Sequence, residues 1–367
     1  MKRIVHLIQA LILVVNILFI IAFIFTAYSP SFHPEKYPIL SCAGLAFPLF
    51  LLINFSFMLF WLFIKIKYAL LPLIGFLICF PQVKTYLPIH FRSQGPPEQH
   101  LKILSYNVMG FDRSFKENGE NPILNYLKDS EADIICLQEY TTSGNPKKLT
   151  QEDISKALQM YPFFKKNPVG SSNSGNYVAC FSKFPILSNE QIESKSHYNG
   201  SVKYEIAINQ DTLTLINSHL ESNKLTKADK VIYEEILATP SETDQVKEGM
   251  KHLIKKLSEA SSIRASQIDT LAKVIAETKH YPLIHCGDFN DSPISYALST
   301  IRKQLNDAFA QSGHGLGISY NQNKFYFRID HILISKDLKS YQCTVDKSID
   351  FSDHYPIWCY VAKHNKQ

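Results

Sequence analysis

The chain has no pair of cysteines at the C-x-x-C spacing of a structural zinc site, although it carries seven cysteines in 367 residues. Cys42 and Cys79 lie in an apolar region. Most of Cys136, Cys180, Cys286, Cys343 and Cys359 sit inside strand-like runs such as D-I-I-C-L and L-I-H-C-G, so they read as small buried core residues. Acid is nearly absent from the first 95 positions, where Glu35 stands alone against Lys2, Arg3, Lys36, Lys65, Lys67, Lys84 and Arg92. Taking these from the totals of 38 basic and 33 acidic residues leaves 31 and 32 in residues 96–367, a net of −1. The +5 of the whole chain therefore belongs to the N-terminal region, and the remainder has no global bias toward polyanions. Internal repeats and low-complexity tracts are lacking as well, which sets repeat architectures aside.

What the first 90 residues do have is long apolar runs. A hydrocarbon layer of ~30 Å takes about 20 apolar residues to cross. Three stretches qualify, 4–27, 39–64 and 68–90. They are apolar on all faces, unlike the single stripe of a buried core helix. The first is too long, and lacks the small-residue cleavage site, to be a removed signal peptide. Lys2 and Arg3 precede it, and Lys65 and Lys67 fill the turn between the second and third, whereas Lys36 in the 28–38 loop is offset by Glu35. The positive-inside rule then places the N-terminus and the second turn in the cytoplasm, and three spans put everything after them outside the inner or cytoplasmic membrane. Lys84 and Arg92 weaken that asymmetry. Residues 91–100, F-R-S-Q-G-P-P-E-Q-H, read as a linker because Gly-Pro-Pro cannot continue a helix.

From residue 101 the pattern changes. Short β-branched or aromatic runs predict strands at 101–107, 133–138, 177–182, 203–208, 212–218, 282–287, 329–335 and 357–361, with helical periodicity at 121–129, 150–159 and 246–278. Many strands with intervening helices indicate an α/β domain with a layered sheet core. Several predicted strands end directly on a potential ligand or acid–base group. They are L-K-I-L-S-Y-N-V (Asn107), D-I-I-C-L-Q-E-Y (Glu139), L-T-L-I-N-S-H-L (His219) and L-I-H-C-G-D-F-N-D (Asp288, Asn290, Asp291). R-I-D-H-I-L (Asp330) and F-S-D-H-Y-P-I-W (Asp353, His354) add the last two. Oxygen donors without thiolates suit Mg²⁺, or Mn²⁺, better than structural zinc. Cleaving a phosphate ester needs such a cation, a group that positions water, and a partner for the leaving oxygen. Taken singly, a strand-end Asn caps a turn and a lone His satisfies a core more often than either binds a ligand.

In this order, S-Y-N-V, L-Q-E, S-K-F-P-I, N-S-H-L, G-D-F-N, R-I-D-H-I and S-D-H-Y-P-I resemble the endonuclease/exonuclease/phosphatase superfamily over about residues 101–360. The resemblance implies a four-layer α/β sandwich, two packed sheets flanked by helices, as a catalytic domain at 101–362. It implies that Glu139 is the principal metal ligand with Asn107 beside it and Asp353 near. Asp288 is similar to the residue that orients or deprotonates water, and Asn290 to the amide that holds water and phosphate. Asp330 and His354 resemble the carboxylate–imidazole pair, and His219 a second phosphate-contacting histidine. Asp291, Ser352 and His331 adjoin key positions but face the other way along a strand, which favours structural roles. Arg264 reads as a surface or inter-helix ion pair, and Tyr177 as a core tyrosine or a substrate contact.

The substrate is left to loops, chiefly 140–176 and a mixed-charge insertion at 221–262 (Lys224, Lys227, Lys230, Glu234, Glu235, Glu242) that reads as a lid or a solvated helix pair. Tethering beside a lipid bilayer and the near-neutral domain favour a lipid headgroup or small phosphate ester. A nuclease is the alternative, but the pairs Lys147–Lys148 and Lys165–Lys166 are too small for a nucleic-acid groove. A catalytically inactive scaffold is disfavoured by intact Glu139, Asp288, Asn290, Asp330 and His354. Nothing in the sequence speaks to oligomeric state.

Overall fold

The computed structural model describes residues 2–91, 94–114, 120–145, 148–171, 175–238, 244–278, 282–322 and 326–364; Arg92, Lys147 and Glu242 lie outside them. Its N-terminal part holds a helix at Lys2–Tyr28 and a second run from Pro38 that becomes the helix Phe47–Ile64. Both segments are long and apolar enough to cross a membrane. Polar side chains pair across them: Trp61 Nε1 donates to Asn16 Oδ1 at 3.1 Å and Asn54 Nδ2 to the Phe19 carbonyl at 3.0 Å, as polar groups do where water offers no alternative. The third expected span, 68–90, is not one straight helix. It breaks into Leu70–Ile78 and Phe80–Tyr86, with a 71° bend at Cys79 just before Pro81.

Twelve described strands follow: β1 (Leu101–Asn107), β2 (Ile134–Gln138), β3 (Phe163–Pro168), β4 (Tyr177–Ser182), β5 (Ile186–Ile192) and β6 (Gly200–Ile208). They continue with β7 (Asp211–His219), β8 (Leu283–Asp288), β9 (Asn306–Asp307), β10 (Asp330–Ile334), β11 (Leu338–Val345) and β12 (Ile357–Lys363). One mixed sheet runs β11-β12-β1-β2-β4-β3 and the other β5-β6-β7-β8-β10-β9. Their facing sides share a core of Ile103, Ile134, Cys136, Val202, Leu215, Ile284, Cys286 and Ile332. Helices Pro122–Asp129 and Gln151–Ala157 cover the outer side of the first sheet, and Asp244–Glu277 with Tyr296–Ile301 covers that of the second. This is an α/β sandwich of four layers.

Side chains alternate along a strand, so every second residue looks inward. On β1, β2, β7 and β8 the inward row begins apolar and ends polar. Ile103 leads to Ser105 and Asn107, Cys136 to Gln138, Leu215 to Asn217 and His219, and Ile284 and Cys286 to Asp288. Gln138 and Asn217, both fully buried, clamp the sheets together: Gln138 Nε2 donates to Asn217 Oδ1 at 2.7 Å, and Asn217 Nδ2 to the carbonyls of Leu137 and Ala179 at 3.2 and 3.1 Å. On the outer face of the second sheet, burial pushes the pKa of His285 down to about 3 and that of His331 to about 4, so both are neutral.

Two outcomes follow. Asn217→Leu strands two carbonyls and the Gln138 amide, and is expected to lower stability by about 3 kcal/mol in urea unfolding of the solubilised chain. The depressed histidine pKa values mean the unfolded chain binds more protons, so stability falls as pH drops below the unfolded value. Each of His285 and His331 is expected to remove about 2 kcal/mol between pH 6.5 and pH 5, and His285→Asn to abolish its share of that slope.

Candidate active site

The polar ends of the inward rows meet at one end of the sandwich. Register brings them there: Asn107 pairs with Gln138, His219 with Asp288, and Asp288 with Asp330. The last pairing is antiparallel, so a strand beginning at Asp330 delivers it where strands ending at His219 and Asp288 deliver theirs. Gly287 permits this approach, because at φ +141° a Cβ there would meet the Ser218 carbonyl at 1.9 Å.

Asp288 lies at the centre. Its Oδ2 is 3.1 Å from Asn107 Nδ2, 3.6 Å from His219 Nε2 and 3.6 Å from His354 Nε2, and its Oδ1 accepts from the Asn290 N–H at 2.8 Å. Asn107 Nδ2 also donates to Glu139 Oε1 at 3.1 Å, and His219 Nε2 stands 3.8 Å from the same oxygen. Glu139 and Asn290 hold left-handed backbone, φ +53° and +50°, the kind of strain that concentrates at functional sites. The Asn290 side chain donates to the Leu220 carbonyl at 3.0 Å, tying the Asp288 loop to the end of β7. Asp353 is half-buried and acts on His354 through its charge; among the described residues its carboxylate makes no hydrogen bond to another member of the group.

His354 Nδ1 donates to Asp330 Oδ2 at 2.8 Å. Burial opposes charge on this imidazole, but the carboxylates of Asp330 and Asp288 outweigh it and hold the pKa well above the ordinary histidine value. Burial also pushes the Asp288 carboxyl up, while His354 and His219 pull it back. Asp288, Asp330 and His354 have donor atoms within 4.8 Å of one another, a spacing compatible with a metal. The Glu139 carboxylate, 39% accessible and beside Asn107, is a second group that could hold a cation. Among the described residues the ion-pair partners of Glu139, Asp288 and Asp330 are histidines alone, and that excess of negative charge fits a divalent cation.

The expected structural roles take definite form. Ser352 Oγ donates to the Asn107 carbonyl at 2.7 Å, and His331 Nε2 lies 3.1 Å from the Asp291 carbonyl. Arg264 is not on the surface: it is 4% exposed, with Nε 3.3 Å from Asp291 Oδ2 and Nη1 donating to the Glu221 carbonyl and Asn223 Oδ1 at 2.8 and 2.9 Å. It braces the two loops that follow His219 and Asn290. Tyr177 is half-buried against the outer core of the first sheet, with Lys166 Nζ 4.2 Å from its ring centre. Three neighbours escape motif reading. Asn176 Nδ2 is 3.4 Å from His219 Nδ1, Tyr320 sets its ring 5.2 Å from that of His354, and Lys230 donates to the Tyr320 hydroxyl at 2.9 Å. They come from loops and from the insertion, where no strand pattern marks them. That insertion pairs helix Lys227–Ala238 with the first half of Asp244–Glu277, pinned at buried Asp229 by Thr226, His252 and Lys256.

A sequence model described as the endonuclease/exonuclease/phosphatase family matches residues 104–354, and the chain belongs to that family. It is accordingly a metal-dependent phosphoric ester hydrolase. A second model, described only as a domain of unknown function, matches residues 9–86. No curated protein matches the chain significantly. Among solved structures, the catalytic domain of human Nocturnin with bound sulfate is 14% identical, with 75% of this chain and 97% of that one aligned at a TM-score of 0.51. TDP2 of D. rerio complexed with single strand DNA product is 18% identical over 72% and 100% of the two chains, TM-score 0.49. An endonuclease/exonuclease/phosphatase from Bacteroides vulgatus is 15% identical over 73% and 100%, TM-score 0.48. At these identities the likeness concerns the fold.

Because His354 is held cationic, hydrolysis is expected to keep a plateau past the ordinary histidine range and to fall as pH rises through the elevated pKa. Asp330→Asn removes the main charge that raises it. In a pH–rate profile the alkaline limb of that variant is expected to move to lower pH, besides any loss of rate; an unmoved limb would assign it to another group.

Proposed function

We propose that the chain is a membrane-tethered, Mg²⁺-dependent phosphodiesterase or phosphatase acting on a lipid headgroup or small phosphate ester outside the cytoplasmic membrane. The observation that carries this reading is the open cavity of about 690 Å³ beside Glu139 and His219. Thr141, Thr142, Ser143, Asn176, Tyr198, Asn199 and Ser222 line it, and Lys148 is the one cation among its described lining residues. A strand of nucleic acid is normally tracked by a row of Lys and Arg. This wall suits a compact polar group carrying one phosphate.

In this reading Glu139 and Asn107, with Asp353 near, hold the cation, whose contribution is to offset charge building on the phosphoryl oxygens. Asp288, its basicity raised by burial, orients the attacking water and accepts its proton. The Asn290 amide helps hold water and phosphate. The His354 imidazolium, fixed by Asp330, stabilises the phosphoryl oxygens, and His219 contacts the phosphate or the leaving oxygen.

The full chain in detergent is expected to hydrolyse bis-p-nitrophenyl phosphate with Mg²⁺ or Mn²⁺, and EDTA or Asp288→Ala to abolish turnover. Glu139→Gln is expected to raise the half-saturating Mg²⁺ concentration by on the order of 10–100-fold. Phospholipid and sphingolipid substrates are then compared with plasmid DNA. Nicking of DNA far faster than lipid turnover overturns the substrate assignment, and inactivity with every metal overturns the hydrolase reading.

A further inference from the structure

The linker is not all that joins the two parts of the chain. Ile294, six residues beyond Asp288, is buried in one apolar cluster with Phe23, Ala27, Phe47, Cys79 and Tyr86 of the membrane region. Gly44, near the start of the second span, packs backbone to backbone on it: a Cβ at Gly44 would lie 2.0 Å from the Ile294 carbonyl oxygen. Arg328, two residues before Asp330 and 3% exposed, donates through Nη2 to the Thr85 carbonyl at 2.6 Å and through Nη1 to the Leu316 carbonyl at 2.7 Å. Thr85 lies in the last turn of helix Phe80–Tyr86, where carbonyls lack intrahelical partners. The helix that carries Arg264 is held as well, Asp269 by His33 at 3.0 Å and Ser262 by the Pro34 carbonyl at 3.0 Å.

Both segments that deliver catalytic carboxylates, and the helix that braces their loops, therefore end on the membrane region. A buried guanidinium is costly wherever its hydrogen bonds are not made, and one of the two carbonyls that this one reaches belongs to the membrane region. We propose that the membrane region is a positioning element of the active site: Gly44 against Ile294, and the Thr85 carbonyl on Arg328, fix the Asp288–Asn290 loop and Asp330 in their working geometry. This rests on the hydrolase reading above. The cavity wall at 141–143, 175–176 and 198–199 is built by other loops, so loss of docking reduces kcat and spares KM.

The test places a protease site at exposed Gly95, which has nothing within 4 Å of its Cβ position, in the full chain reconstituted in nanodiscs. After cleavage the wild-type catalytic domain is expected to stay on the disc with unchanged kcat. Gly44→Val, and separately Arg328→Met, are expected to release it with kcat lowered by on the order of 10–100-fold and KM unchanged. Gly44→Val leaves the domain's own sequence intact, and the released domain is expected to keep one cooperative unfolding transition. Release of the wild-type domain at full kcat overturns the proposal, as does either variant that stays docked or is released with wild-type kcat. Absence of hydrolysis by the uncleaved chain sinks the hydrolase reading alone, because retention on the disc still reports docking.

Discussion

The site depends on one contact between the sheets, the Gln138–Asn217 pair. It lies where the inward rows change from apolar to polar, one residue before Glu139 and two before His219. Below it the sheets are held by apolar packing, which is strong but tolerant of small slips. Above it charged groups must meet within a few tenths of an ångström. Buried amides tolerate no such slip, since each unmade bond costs about 1–3 kcal/mol. Asn217 bonds to carbonyls on two strands of the opposite sheet and Gln138 reaches Ser105 at 3.2 Å, so the pair fixes the register on which the distances around Asp288 rest.

How much of this was legible follows from where each strand sits. The eight strands expected from apolar runs are β1, β2, β4, β6, β7, β8, β10 and β12, the interior of both sheets. The four that sequence reading passed over, β3, β5, β9 and β11, are the four edges. An edge strand such as F-F-K-K-N-P or I-L-S-N-E-Q-I has one side open to water and keeps polar residues there, which erases the run that marks a strand. The site was legible for the complementary reason. Its residues end interior strands, so a single polar residue after an apolar run points to the rim. Asn176, Tyr320 and Lys230 have no such marker; Arg264, which read as a surface or inter-helix ion pair, does form an ion pair, but a buried one with Asp291, because a helical pattern does not say which loops its arginine meets.

The charge distribution explains why the same rim carries two kinds of histidine. His285 and His331, on the outer face of the second sheet, have little near them to offset the cost of burying a charge, and stay neutral. His354, as deeply buried, faces Asp330 and Asp288 and stays cationic. The difference is one of strand parity, since His331 and Asp330 are neighbours in sequence and point to opposite sides. The same parity places Asp288 inward and His285 outward on β8. The cationic imidazole therefore sits among the inward carboxylates of the candidate site, and the neutral ones lie on the outer face.

The bent third segment bears on where the candidate site lies. The loop between the first two spans touches the catalytic domain through His33 and Pro34, the start of the second span through Gly44, and the end of helix Phe80–Tyr86 through Thr85. All three therefore lie at the same end of the helical bundle. Lys65 and Lys67 occupy the turn at the other end of the second helix. A chain that leaves that turn at Ile66 and arrives at Thr85 beside the first loop has returned across the bundle, however sharply it bends at Cys79. The third segment also packs along the first, with Ile20 and Phe23 against Gly75. Two segments are long and apolar enough to cross a membrane, and the bent pair makes a third if it is one span; three crossings would carry the catalytic domain away from the lysine-bearing side, which is the placement proposed above.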